Sequence, residues 1–248
     1  GVFVLLGLGV GQSWGQVVKF DLSGLPGGVN NYGPSPMTPT SNDPNVTIVG
    51  LTRGAGVGTS GTGGAKAWGG TGFVTANNTQ ALALAGNQVV TFSITANSGY
   101  KISLSGIPIY NIRRSGSGPT TGIWQYQIGA GSFTDIGSAI TWGGTTSSAG
   151  NDQTPIDLSV ISALQNVTAG TTITFRVILW GSTGTAGSWY FNDQTSGTRD
   201  LIVNGTVVLD CIPPSITSAT AGADPICSNA TTTLTANGVA GTNATVTW

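Results

Sequence analysis

The chain of 248 residues contains no histidine and no glutamate, and charged residues make up 7% of it. General acid–base catalysis draws mostly on His, Glu, Asp, Lys and Tyr tuned towards neutral pH, so two of the commonest proton carriers are missing. Without histidine, Ser–His and Cys–His nucleophile systems cannot be built. The same shortage excludes a zinc site of the usual kind, because the only thiols are Cys211 and Cys227. Concentrated positive charge is lacking too. The 8 Lys and Arg are scattered among 9 Asp, for a formal net charge of −1. No basic stripe is available to neutralise phosphates, which argues against a nucleic-acid partner. No apolar run is long enough to span a bilayer, so no transmembrane segment is expected.

What the chain does have is glycine, at 40 positions, together with 39% hydrophobic residues that include seven Trp and seven Phe. Low charge without low hydrophobicity is not the composition of a disordered chain. Period-2 alternation recurs in short runs: Val17–Leu22, Val46–Thr52, Gln88–Ala96, Lys101–Ile112, Ile123–Ile128, Thr171–Trp180, Ser188–Asp193 and Asp200–Leu209. The run from Lys101 slips at Gly106, where a bulge is expected. The one helical candidate is Asp157–Leu164, with Asp157 as its cap. Many strands without crossover helices predict an all-β, antiparallel, jelly-roll-like sandwich. Its core is expected to include Phe92, Ile94, Ile102, Leu104, Trp124, Phe175, Val177 and Phe191, and its first and last strands to lie together. Two Gly/Pro-rich stretches, residues 27–44 and 54–64, read as functional surface or mobile loops.

The ends suggest export. Residues 1–15 carry the short apolar run Gly1–Val10 and then Ser13-Trp14-Gly15, the pattern of a signal-peptide remnant cleaved before Gln16. The sandwich module is assigned to residues 16–209. Asp210-Cys-Ile-Pro-Pro214 reads as a stiff linker. Residues 215–248 resemble the opening strands of an immunoglobulin-like domain, here truncated, with Trp248 placed to enter its core. In an exported chain Cys211 and Cys227 can pair, closing a loop of about 15 residues. Alternatively, Cys227 can pair with a cysteine beyond Trp248.

Several short motifs occur together in order: Lys19-Phe-Asp-Leu22, Gly50-Leu-Thr-Arg-Gly54, Phe92-Ser-Ile-Thr-Ala96, Ile112-Arg-Arg-Ser115, Thr174-Phe-Arg-Val177, Trp189-Tyr-Phe-Asn-Asp193 and Leu201-Ile-Val-Asn-Gly205. In this the chain resembles the N-terminal β-sandwich module of large secreted multidomain surface proteins of Bacteroidetes-type bacteria. In those, the module precedes immunoglobulin-like repeats and a C-terminal sorting domain. The resemblance implies a secreted or outer-surface location and an adhesin-like, non-enzymatic role. A carbohydrate-binding module of a secreted polysaccharide-degrading enzyme is the alternative. Extracellular glycans or other surface proteins are the expected partners.

The residues themselves suggest five kinds of site. Trp68 and Trp142 each precede two glycines beside a turn, so they are candidates for stacking on sugar rings, with Asn151 and Asp152 as hydroxyl partners. The competing reading caps the ends of the sandwich with both tryptophans. No cofactor is expected. Calcium is the one metal the loops could take, at Asp43, Asp152 and Asp193. Two aspartates can serve a glycosidase, but Asp152/Asp157 and Asp193/Asp200 read as solvated loop residues. Arg113 and Arg114 are adjacent in a strand, so one points inward and needs a carboxylate, Asp193 or Asp135. Thr172/Thr174 and Thr245/Thr247 are isolated pairs without the repeat that a flat ice-binding ladder needs.

Overall fold

The computed structural model describes residues 15–144, 147–193, 199–210, 218–221 and 234–237. The chain divides into two compact units, residues 1–208 and 209–248. Along it run β1 (Gly15–Phe20), β2 (Gly28–Val29), β3 (Ser41–Asn42), β4 (Val46–Arg53), β5 (Thr62–Gly63), β6 (Ala67–Gly70), helix α1 (Gln80–Ala85), β7 (Val89–Ala96), β8 (Tyr100–Ile107), β9 (Tyr110–Arg114), β10 (Thr121–Ile128) and β11 (Thr134–Thr141). There follow β12 (Asn151–Gln153), β13 (Ile156–Asp157), a 3-10 turn (Ser162–Leu164), β14 (Val167–Thr168), β15 (Thr172–Trp180), β16 (Trp189–Asn192) and β17 (Leu201–Leu209). In the second unit β18 (Ser218–Ala221) pairs antiparallel with β19 (Leu234–Asn237). Cys211 and Cys227, the apolar N-terminal run and most of the immunoglobulin-like reading lie outside the described residues.

Strand outweighs helix, 49% to 5%, and the architecture is an all-β sandwich. One layer is the five-stranded sheet β11-β10-β15-β7-β4. The other consists of two sheets end to end: β13-β8-β17-β1-β3, with β14 also beside β8, and β12-β9-β16-β6. The chain steps from one to the other between β8 and β9, between β12 and β13, and between β16 and β17. Because Ile107 pairs with Ile156 and Tyr110 with Gln153, the gaps Pro108-Ile109 and Thr154-Pro155 face each other. A proline has no N–H for a ladder, so the layer breaks where the two prolines stand opposite. The expected bulge at Gly106 is therefore corrected. The strand ends one residue later, at Ile107, and the chain re-enters in another sheet as β9.

The two layers meet in one aromatic core. Phe20 of β1 packs edge-on against Phe92 of β7 at 5.6 Å, and Trp124 of β10 lies 6.0 Å from Phe191 of β16. All eight core residues expected from the alternation are buried in this cluster. β1 pairs antiparallel with β17, Phe20 opposite Leu201, so the sandwich does close on its first and last strands. Lys19 Nζ reaches the buried Asp200 carboxylate at 2.8 Å, and Asp200 Oδ1 accepts from Leu22 N, which pins that seam.

Two local expectations fail. Residues 157–164 form no α-helix: Asp157 belongs to β13, its Oδ1 accepts from Ser159 N and Oγ, and only a 3-10 turn follows. The α-helix is at Gln80–Ala85, where Thr79 Oγ1 accepts from Leu82 N as its cap. The Gly/Pro-rich stretches are woven into the fold. Gly28 pairs with Gly63, Met37 bridges to Leu51 and Gly58 to Thr71, and Tyr32, Met37 and Val57 are buried.

Candidate functional site

The open side of the sandwich lies between β11, an edge of the five-stranded layer, and β12–β13, an edge of the opposite layer. The sequence makes this side open. In Thr134-Asp-Ile-Gly-Ser-Ala-Ile-Thr141 only Ile136 is buried, so the strand has one anchor and a wet remainder. Gly137 sits at φ +68, and the register with β10 jumps from Ile136/Trp124 to Ile140/Gly122. This is a bulge, a common way to end or re-aim an edge strand.

Three hollows follow this side in succession. The first, of about 350 Å³, is walled by Ile140, Trp142, Asn151, Asp152 and Gln153 among others. The second, of about 460 Å³, shares Ile140 and Thr154 with the first and adds Tyr126, Asp135 and Ile161. The third, of about 280 Å³, shares Pro155, Ile156 and Asp157 with the second and ends at Ser105 and Asn204. Together they make one cleft that follows residues 151–157.

The carboxylates of the cleft are individually engaged. Arg199 reaches Asp152 Oδ2 from Nη2 at 2.9 Å and from Nε at 3.0 Å, and Asn111 Nδ2 donates to Asp152 Oδ1 at 2.8 Å. The Arg199 hydrogen bond is the main reason the Asp152 carboxyl titrates below the usual 3.8. The Ser159 hydroxyl, then its N–H, does the same for Asp157. Asp135 accepts from Gln125 Nε2 and Gln80 Nε2, which ties α1 to β11.

Three of the four candidate ligand residues, Trp142, Asn151 and Asp152, thus come together in the first hollow. Trp68 does not line it. The idea of tryptophan stacking platforms is corrected for both, because Trp68 and Trp142 have no exposed surface. Trp142 packs on Trp189 at 5.9 Å and Trp68 on Phe191 at 6.4 Å, and the exposed part of the Trp142 segment is its polar flank. The large rings fill the ends of the core because the narrow inner faces of glycine-rich strands leave that volume for them.

The calcium candidates separate. Asp43 Oδ1 accepts from Asn45 N in a turn of its own. Asp152 and Asp193 converge on Arg199, whose guanidinium meets Asp152 and whose backbone N donates to Asp193 Oδ1 at 2.6 Å. Among the described residues no group of three or more acidic or thiol side chains is arranged to hold a metal ion.

Arg114 donates from Nε to Gly143 O and from Nη1 to Ser115 O. Arg113 lies over the Tyr190 ring at 5.7 Å. Sequence reasoning missed the more buried arginine, Arg53, which donates to the carbonyls of Gly69, Tyr32 and Gly33 and lies 4.6 Å over the Trp68 ring. Its place at the end of an alternating strand was the only signal. Also missed was a hydroxyl row across strands. Thr47, Thr95 and Thr172 stand side by side, with Thr95 Oγ1 and Thr172 Oγ1 2.9 Å apart, although no sequence repeat links them. Val49 and Arg176 interrupt the rows beside it.

Among the described residues no helix is long and apolar enough to cross a membrane. No protein-family model, no curated protein and no solved structure matches this chain.

Proposed function

We propose that the chain is a non-enzymatic, extracellular binding module of an adhesin-like bacterial surface protein, and that the cleft between β11 and β12–β13 is its binding surface. The observation that carries this reading is the cleft itself, a long open trough whose walls mix isoleucines with amides, hydroxyls and carboxylates. Ligand sites combine an apolar lining with a few placed polar groups in this way. Catalysis fits less well. A glycosidase acid must hold its proton near neutrality, whereas Asp152 and Asp157 are both held ionised by their partners. Export is supported by the apolar run ahead of Gln16 and by the motifs shared with secreted surface proteins.

The test is retention of the full chain on arrays of immobilised glycans and extracellular proteins, run beside Thr154→Trp. Thr154 is exposed and lies where the first two hollows join, so the substitution fills the cleft without touching the core. Binding that Thr154→Trp removes supports the reading. Failure to bind any array member, or binding indifferent to Thr154→Trp, overturns it.

A further inference from the structure

We infer that the cleft takes an extended, uncharged polysaccharide chain and rejects polyanionic ones. This rests on the reading of the cleft as a binding surface and goes further by naming what lies in it.

The length comes first. The three hollows share walls and follow residues 151–157 without a break. Six steps of extended chain span about 20 Å at about 3.3 Å each. A trough of that length suits a linear polymer better than a compact small molecule.

The edges decide between a peptide and a glycan. A peptide joins an open sheet edge by adding a strand, and that requires an uninterrupted row of backbone N–H and C=O groups. Neither edge here offers one. β11 is broken by the bulge around Gly137. On the other side, Pro155 supplies no N–H, and it stands where the layer itself divides between β12 and β13. What both edges offer is side chains. Asn151, Thr154 and Ser138 present an amide and a hydroxyl pair at the walls, and Ile140 and Ile156 present hydrocarbon. Alternating hydroxyls and C–H faces along a sugar chain match that pattern.

Charge then sorts the glycans. Among the described residues the walls carry Asp135, Asp152 and Asp157 and no Lys or Arg. The arginines beside them are engaged: Arg199 with Asp152, Arg114 with the carbonyls of Gly143 and Ser115, and Arg176 with Gln125. Both Asp152 and Asp157 stay ionised to well below neutral pH. A uronate or sulfate chain laid along this trough would place like charges within a Debye length over its whole course, a repulsion that only high salt screens.

The test is affinity electrophoresis of the full chain in gels containing galactomannan, xyloglucan or mixed-linkage glucan on one side, and alginate or polygalacturonate on the other. The expected result is retardation by at least one neutral polymer and by neither acidic one. Thr154→Trp should weaken that retardation about tenfold or more, equivalent to about 1.4 kcal/mol, at an unchanged melting temperature. The double variant Asp135→Asn, Asp157→Asn should keep the neutral ligand and reduce discrimination against alginate. Retardation by an acidic polymer that Thr154→Trp abolishes would overturn the charge argument. Retardation by neutral polymers indifferent to Thr154→Trp would put the glycan elsewhere. If no polysaccharide retards the chain while an immobilised protein retains it through the cleft, this inference falls and the broader reading stands. If nothing binds through the cleft, both fall.

Discussion

Trp68 and Trp142 stand in the same local sequence, each followed by two glycines, and each ends with no exposed surface. Each also rests against a glycine from another strand or loop. A β-carbon at Gly33 would meet the Trp68 ring, and one at Gly122 would meet the Trp142 ring. Beyond the rings the two ends differ. Around Trp68 the polar atoms are consumed inside the fold. Its Nε1 donates to Pro34 O at 2.6 Å, and Arg53 lies over the ring while its guanidinium takes the carbonyls of Tyr32, Gly33 and Gly69. Burial pushes the Arg53 pKa down to about 10, which leaves it charged at neutral pH. Around Trp142 the indole Nε1 has no hydrogen-bond partner among the described residues, Gln153 Nε2 donates to Asn151 O at 2.9 Å, and Asp152 lines the cleft paired with Arg199. The same motif therefore closes one end of the sandwich and lines the open side of the other. The difference lies in exposure. The partners of Arg53 are carbonyls inside the fold, whereas the Asp152–Arg199 pair beside Trp142 stands in water.

The largest expected effect tests what the two ends share. Trp68→Ala and Trp142→Ala should each destabilise by ~3–5 kcal/mol in urea unfolding, because each removes a fully buried ring. A loss below about 1 kcal/mol at Trp142 would mean that its ring is not core, and the comparison would fail at its first step.

Next comes the arginine that closes the Trp68 end. Arg53→Leu removes three hydrogen bonds to inward carbonyls, of which Tyr32 O keeps Gly69 N as a donor, and should cost about 2–3 kcal/mol. Arg53→Lys should recover less than half of that, since an ammonium lacks the planar guanidinium that reaches Gly69 O from Nε and the Tyr32 and Gly33 carbonyls from Nη2. Arg199→Gln, at the open end, should barely move the unfolding midpoint, because the Asp152–Arg199 pair is exposed to water. Equal effects for Arg53→Leu and Arg199→Gln would abolish the distinction between a closed end and an open one.

A subtler pair isolates the indole N–H. Trp68→Phe removes the donor to Pro34 O as well as part of the ring, whereas Trp142→Phe removes no hydrogen bond to a described residue. The first should be more destabilising than the second by about 1 kcal/mol. Equal losses would show that the Pro34 contact contributes nothing net.

These contrasts also mark how far the sequence could be read. Long inner strands such as Val89–Ala96 and Thr172–Trp180 are legible because one face meets the core while the other carries Thr, Ser and Arg apart from Val89, Ile178 and Trp180, which pack with Ala83 of α1, and their register pairs Phe92 with Phe175 as the pattern implies. The cleft strands give no such signal. β11 buries only Ile136 of its eight residues, and β12 and β13 are cut to three and two residues by the proline break. β6 reads as a turn because half of Ala67-Trp-Gly-Gly70 is glycine, yet β16 passes so close that a β-carbon at Gly69 would collide with its backbone. Asn151 and Asp152 could be found by residue type. That they share a trough with Trp142, and that Trp68 is elsewhere, depends on pairings between strands far apart in sequence.

The smallest effect is the pH dependence that belongs to the open side. Hydrogen bonds from Arg199 and Ser159 hold Asp152 and Asp157 below the usual carboxylate value of 3.8. As pH falls, the unfolded chain therefore takes up these protons first, and protonation favours unfolding. The stabilisation they give is complete above the unfolded value, near pH ~4, and is lost only as pH drops through the lower folded values. Between about pH 8 and pH 5 they should contribute no slope at all. Melting temperatures measured from neutral pH down to about pH 2 should fall less steeply below pH ~4 in Asp152→Asn, Asp157→Asn than in the parent chain. Arg53→Lys should leave that acid slope unchanged, because its surroundings are carbonyls and a ring with no carboxylate to titrate. A slope that depends on Arg53 and ignores Asp152 and Asp157 would reverse the assignment of the closed and open ends.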